Sequence, residues 1–159
     1  MPTRWTGRQS FRDATLHKPY VAIQVTAAAL TAAAATAQTF DGPAIPAGSH
    51  IDEVIVRIDT PPTSSSGNTT NIGVIVGRSG ATNELLTTAN LFGTSANTFS
   101  VLGGKGAAFN QGSAPAQAGY TPRVTVTPAG AGSQDLDDIN ACDFTVFVFY
   151  TTAPTLGES

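Results

Sequence analysis

The chain has 159 residues, enough for one domain with a substantial core, and 12% of them are charged, about half the usual share for a soluble domain. Its single cysteine excludes a disulfide within the chain, and a sparsely charged surface favours a protein that works packed against neighbours. Residues 1–19 hold four basic residues and one acidic residue, a net +3, whereas the remainder holds four basic and ten acidic residues, a net −6.

The basic segment at residues 1–19 mixes cations with aromatic rings, which are enriched at the anchor points of protein interfaces. We therefore expect an extended N-terminal arm that contacts another subunit, with a disordered polar tail as the alternative. Nucleic acid is not the expected partner, because four positive charges without a recognised motif make a weak footprint. The expected contact residues are Arg4, Trp5, Arg8, Phe11 and Arg12.

The Ala- and Thr-rich stretch at residues 20–39 has the features of a secretion signal, including a small-residue site at 35–37. However, polar residues dilute its apolar middle, and a membrane-spanning helix needs about 20 strongly apolar residues. We expect the stretch to stay in the folded protein, with a cleaved signal as the alternative. Residues 20–25 alternate as a strand does. At residues 27–35 a short helix competes with closely packed strands, and we expect strands.

Two segments, residues 51–59 and 71–77, alternate apolar and polar side chains, which predicts half-buried strands. Their inward positions are Val54, Val56 and Ile58 in the first segment and Ile72, Val74 and Val76 in the second. The intervening residues 61–68 are rich in turn formers. We expect the two strands to be antiparallel neighbours joined by a long hairpin loop.

The region from residue 83 to residue 120 carries weaker signals. Residues 83–92 are the other helical candidate, with room for one or two turns. Residues 93–120 are rich in Gly, Ser, Asn and Ala and predict loops, apart from a patterned stretch at residues 98–102.

The C-terminal third predicts two more strands. Residues 123–128 alternate and end at Pro128, which cannot continue a central ladder. Residues 143–151 are apolar on both faces, so this strand is covered on both sides, in the sheet centre or by the arm or a partner. One face has Phe144, Val146, Val148 and Tyr150, and the other has Thr145, Phe147 and Phe149.

Seven or eight short strands separated by Gly, Pro and Asn turns predict an all-β fold, an antiparallel β-sandwich that is jelly-roll-like. The predicted organisation is an extended arm at residues 1–19 and a single sandwich domain at residues 20–159.

The sequence contains no nucleophile elbow, zinc-protease motif or phosphate-binding loop, so we expect no enzyme, no catalytic residue and no cofactor. The acidic cluster of Asp135, Asp137 and Asp138 lacks the pattern of a calcium loop. We expect a solvated turn there and no metal, with a cation site as the alternative. Cys142 is expected to be a buried core residue, since a catalytic thiol needs a nearby base and the chain has two histidines.

An Ile-Pro-Ala-Gly turn at residues 45–48 introduces the valine-alternating strand at residues 54–59. Together with residues 72–77 and the closing aromatic strand, this stretch resembles virion proteins of tailed bacteriophages. The resemblance covers residues 40–151. It implies a small β-sandwich that decorates or cements a capsid, often as a trimer, with terminal arms that bridge capsomers.

The expected function is therefore that of a structural virion protein, a capsid cement or decoration protein on the surface of a phage head. The expected partners are the major capsid protein and further copies of the chain, as a homotrimer or another homo-oligomer, without a membrane. The alternatives are a tail or neck component and a carbohydrate-binding sandwich module. Carbohydrate binding calls for exposed aromatic rings on the body, and the only tryptophan, Trp5, lies in the arm.

Overall fold

The computed structural model describes residues 19–96, 98–100 and 119–152 of the chain. Within these ranges the chain forms eight β-strands and one 3-10 turn at Ala27–Ala29. The strands are β1 (Tyr20–Thr26), β2 (Gln38–Asp41), β3 (Ser49–Ser64), β4 (Thr69–Arg78), β5 (Ala81–Asn90), β6 (Thr98–Ser100), β7 (Arg123–Gly130) and β8 (Ile139–Thr152). The predicted all-β class is confirmed.

The strands form two four-stranded sheets, each antiparallel throughout. The first sheet has the order β1-β8-β3-β6, and the second has the order β2-β7-β4-β5. Successive strands change sheet at every step except β4 to β5, which form a hairpin. The arrangement is consistent with a β-sandwich, whose core lies between two facing sheets.

One cluster of buried apolar side chains draws on both sheets. The inward positions predicted for β3 and β4 are buried: Val54, Val56 and Ile58 of β3, and Ile72, Val74 and Val76 of β4. On the corresponding face of β8, Phe144, Val146 and Val148 are buried, whereas Tyr150 is half-buried. Burying an apolar side chain of this size stabilises a fold by about 1.5–3 kcal/mol. The period of two therefore identified the core face of these strands correctly.

The Ala- and Thr-rich stretch begins as a core strand. β1 pairs along its whole length with β8, and Val21, Ile23 and Val25 are buried. The helical alternative at residues 27–35 reduces to the single turn Ala27–Ala29, and the strands expected at these residues are wrong, because a strand resumes only at Gln38.

The Gln38 side chain explains how the non-repetitive stretch after the turn is held. Its Oε1 accepts hydrogen bonds from the backbone N–H groups of Thr31 and Ala32, at 3.0 and 3.2 Å. Its Nε2 donates to the carbonyl oxygen of Ala29 at 2.7 Å. One amide side chain thus satisfies three backbone groups that a strand would have paired with a neighbouring strand.

The predicted hairpin of β3 and β4 is wrong, because β3 lies in the first sheet and β4 in the second. The predicted loop at residues 61–68 is also shorter than expected, since β3 continues through Pro61 and Pro62 to Ser64 with register shifts. Prolines are tolerated on a strand edge that lacks a partner. In the described chain β6 pairs only with Val56–Ile58, which leaves that edge of β3 free at the prolines.

The helical candidate at residues 83–92 does not form a helix, because residues 83–90 belong to strand β5. Its two successive leucines, Leu85 and Leu86, are both buried, and the pairing with β4 shifts register on either side of Leu86. A bulge adds a residue to one strand and so breaks the period of two. Because of that interruption, residues 83–92 do not show the alternation of apolar and polar side chains that predicts a strand.

Pro128 does not end β7, which runs on to Gly130 with Pro128 opposite Ile72 of β4. Strand β2 pairs only with Arg123–Val126, so the β2 side of β7 has no strand partner at Pro128 in the described chain. The ladder therefore tolerates proline at this position.

Candidate functional site

The contact residues predicted for the arm all lie outside the described residues: Arg4, Trp5, Arg8, Phe11 and Arg12. Apart from Pro19, the same holds for the whole predicted arm, and the division into an arm and a single domain stays a prediction. The candidate site that the structure describes is on the body.

Three aromatic rings lie together on the side of the first sheet that faces away from the core. The ring of Tyr20 is 5.4 Å from that of Phe147 and 5.6 Å from that of Phe149, centre to centre. The rings of Phe147 and Phe149 are 6.3 Å apart. With Ala22 and Ile55 they form an apolar surface, which we call the outer aromatic face.

Strand register explains why these residues meet. On β8, Phe147 and Phe149 alternate with the core residues Val146 and Val148, so they point away from the core. The register then sets two rows across three strands. The rows are Tyr20, Phe149 and Glu53, and Ala22, Phe147 and Ile55.

The outer aromatic face is partly open to solvent. Tyr20 is 55% exposed. Among the side chains that the structure describes, it is the only large apolar one that is exposed. Phe147, Phe149 and Ile55 are half-buried, and Ala22 is exposed. Strand β8 lies inside its sheet, between β1 and β3, which is one of the two expectations for this strand. Its outer side lacks a cover in the described chain, and cover by the arm or a partner stays a prediction.

The Arg57 side chain borders the outer aromatic face. Arg57 lies over the ring of Phe147, with its guanidinium carbon 5.4 Å from the ring centre. It also donates two hydrogen bonds, at 3.0 and 2.9 Å, to the Asp59 carboxylate. Cation–π contact and ion pairing together fix Arg57 in place beside Phe147.

Among the described residues, carboxylates outnumber cations around the outer aromatic face. Glu53 is exposed opposite Phe149 on β3. The Asp143 carboxylate lies on β8 and accepts a hydrogen bond of 2.9 Å from the Gln24 side chain. Since Asp59 neutralises Arg57, the surroundings of the face are net acidic.

The outer side of the second sheet has a different character. Its described positions on β2 and β7 carry Thr39, Thr125 and Thr127 together with an exposed ion pair, in which Arg123 donates two hydrogen bonds to Asp41. These hydrogen bonds hold the pKa of the Asp41 carboxyl below its usual value. Only the first sheet thus presents aromatic rings, so the two sides of the described body are not equivalent.

A second charged cluster has a structural role. Nε of Arg78 lies 3.0 Å from the Glu84 carboxylate, and its guanidinium stands 5.7 Å from the centre of the Tyr120 ring. Burial, and then the nearby Glu84 carboxylate, raise the pKa of the Tyr120 hydroxyl, which stays protonated. Tyr120 also forms a β-bridge with Ile45, so the cluster ties two loops to the β4–β5 hairpin.

The acidic cluster is used to hold loops. Asp135 accepts a hydrogen bond from the backbone N–H of Ala34, and the Asp138 carboxylate accepts one from the Ser66 hydroxyl. Asp137 is exposed. In the part of the chain that the structure describes, no group of three or more His, Cys, Asp or Glu side chains is placed to hold a metal ion.

No helix among the described residues is long and apolar enough to cross a bilayer.

Cys142 is buried in the core, as predicted. Burial, with a smaller effect of the Asp143 carboxylate, raises the pKa of its thiol to about 12. The thiolate is the reactive form of cysteine.

We therefore expect the folded protein to react with iodoacetamide at pH 8 about a thousandfold more slowly than a free thiol does, because its thiolate fraction is smaller by that factor. Mass spectrometry of timed samples measures the rate. The same protein unfolded in guanidinium is the control and should react at the free-thiol rate. Equally fast labelling of the native protein would mean that Cys142 is not buried.

Comparison of the chain with protein-family models and with curated proteins finds no match to either.

Proposed function

We propose that this protein is a structural component of a tailed-phage virion, a capsid cement or decoration protein on the head surface. In this role it binds the major capsid protein and further copies of itself and turns over no substrate. Its action is mechanical, because buried apolar area and hydrogen bonds across the joints between capsomers hold the shell together. Many copies make modest single contacts sufficient, since linked contacts reinforce one another.

The observation that carries the proposal is the strand order. β1 pairs with β8, β2 with β7, β3 with β6 and β4 with β5. A jelly roll is a chain folded into one long hairpin with these four pairings and then rolled into two sheets. Jelly rolls occur in viral capsid and lectin domains. The pairing supports a jelly roll, and with the sequence resemblance it favours a capsid protein.

The outer aromatic face supports an assembly role further. Aromatic side chains are enriched at protein interfaces, and exposed apolar patches mark interaction sites. A face with Tyr20, Phe147 and Phe149 on one sheet, and threonines on the other, gives the body one preferred contact side. The predicted arm would add reach to that contact.

Carbohydrate binding is the second candidate, because exposed rings on the body are the feature that it calls for. The ring planes weigh against it. The Tyr20 ring is inclined by 68° to that of Phe147 and by 50° to that of Phe149, so the three rings form no flat platform for a sugar. Titration calorimetry against a panel of bacterial surface sugars is expected to show no binding. Binding that Tyr20→Ala abolishes would favour this candidate over the virion protein.

The role of the predicted arm in attachment can be tested by deleting it. Deleting residues 2–18 is expected to leave a folded body, because the described core contains no residue before Val21. The truncated protein should no longer bind particles that lack the protein, whereas the full chain should bind to saturation at a fixed copy number. Co-sedimentation with such particles measures both. Equal binding of the two forms would show that the arm has no role in attachment. A reconstruction of the saturated particle distinguishes the head from the tail or neck.

A further inference from the structure

We infer that the outer aromatic face of one copy binds the N-terminal segment, residues 1–18, of a second copy of this chain. The inference concerns the chain alone and does not require a capsid. It names the occupant of a surface that the described chain leaves open.

The position of the segment is the first argument. Its attachment point is at the rim of the face, where the carbonyl oxygen of Pro19 accepts a hydrogen bond of 3.1 Å from the Tyr150 N–H and Tyr20 is itself one of the three rings. Eighteen residues span up to about 60 Å when extended. In an assembly of copies, a segment of this length can reach the face of a neighbour.

The chain direction favours a neighbour's face over the copy's own. β1 runs from Tyr20 towards Ala22 along its own face, so the residues before Tyr20 lead in the opposite direction. Proline disfavours the helical conformation for the residue that precedes it, and Pro19 therefore favours extended backbone at this exit. To cover its own Phe147, the segment would have to reverse direction within its eighteen residues.

The chemistry of the segment matches the face. In extended backbone, alternate residues share a side. Trp5 and Phe11 would then lie on one side of the segment and Arg4, Arg8 and Arg12 on the other. The aromatic side suits Tyr20, Phe147 and Phe149, and it leaves the three arginines on the side of the segment that points away from those rings. The net +3 of residues 1–19 and the net −6 of the rest of the chain add long-range attraction.

The sheet edge supplies a backbone partner. β1 is the outermost strand of the first sheet and pairs with β8 alone in the described chain. An unpaired edge is a template for an added strand from another chain. A strand added there would lie next to Ala22, whose small side chain leaves the Phe147 ring accessible from that edge.

Trp5 is the only tryptophan and therefore a built-in reporter of the segment. In the purified full-length chain we expect its fluorescence to be blue-shifted and shielded from iodide. Ala22→Lys adds bulk and charge to the face at an exposed position of an edge strand and is expected to shift the emission to longer wavelength and restore quenching. Thr127→Lys, an exposed position of the second sheet, is the matched control and should behave as the wild type. Circular dichroism verifies folding, and Tyr20→Lys serves as a second face variant.

A mixing experiment identifies whose face is occupied. One chain carries Ala22→Lys with an intact segment, and the other carries Trp5→Ala and Phe11→Ala with an intact face. Only the first chain fluoresces as tryptophan, and its Trp5 has no intact face of its own. Mixing the two is expected to restore the blue-shifted, shielded emission. Failure to restore it, with a shielded wild type, would place the segment on its own body and overturn the inference. An exposed Trp5 in the wild type, or an Ala22→Lys variant that stays shielded, would overturn it as well. None of these results bears on particle binding, so the proposed function is tested separately.

Discussion

Phe144→Ala is expected to lower the free energy of unfolding by about 3–5 kcal/mol, the usual cost of removing a buried phenylalanine ring. Phe144 is fully buried in the central strand β8, opposite Val25 of β1 and Ile58 of β3. Its removal leaves a cavity that two sheets cannot easily close. Chemical denaturation of the purified protein, followed by circular dichroism, measures the change.

Phe147→Ala is the matched control, since it deletes the same ring from the same strand on the opposite face. Phe147 is half-buried and borders solvent, so the loss of stability should be clearly smaller. Equal losses for the two variants would mean that the core and outer faces of β8 have been assigned wrongly.

Gly77→Ala is expected to cost about 3 kcal/mol or more, because no space exists for a methyl group. A Cβ at Gly77 would overlap the carbonyl oxygen of Ala81 and lie 2.6 Å from the carbonyl carbon of Thr82. Both contacts are with backbone, so relief requires moving the start of β5 away from β4. Thermal unfolding measures the effect.

Gly80→Ala, in the same hairpin, separates crowding from backbone strain. Gly80 has a φ of +85° but nothing within 4 Å of the position of a Cβ. The substitution therefore meets only the strain of a left-handed conformation, about 1–2 kcal/mol. If Gly77→Ala cost no more than Gly80→Ala, the close approach of β5 to Gly77 would be contradicted.

Strand faces could be read from the sequence because burial imposes a period of two on the residues themselves. Val54, Val56 and Ile58 show the pattern within five residues, and so does Phe144 with its neighbours. Strand partners could not be read in this way. β3 and β4 are consecutive and similarly patterned, yet they bury their apolar faces from opposite sheets. Alternation specifies which side of a strand is buried and says nothing about which strand lies beside it.

The same limit applies to the candidate site. The double-sided apolar pattern around Phe147 indicated a cover on both sides, but Tyr20 is distant in sequence and joins the rings only through the register of β1 with β8. Strand β5 was missed because of bulges in its pairing with β4. The register shifts around Leu86 removed the alternation on which a strand prediction for β5 depends.

The most direct test of the proposed function is the temperature at which genome is released from particles with and without this protein. Both preparations are heated side by side, and released DNA is followed with an intercalating dye. Particles that lack the protein are expected to release DNA at a lower temperature, and adding the purified full chain should restore the higher one. Equal release temperatures would contradict a cement role and favour a tail or neck component.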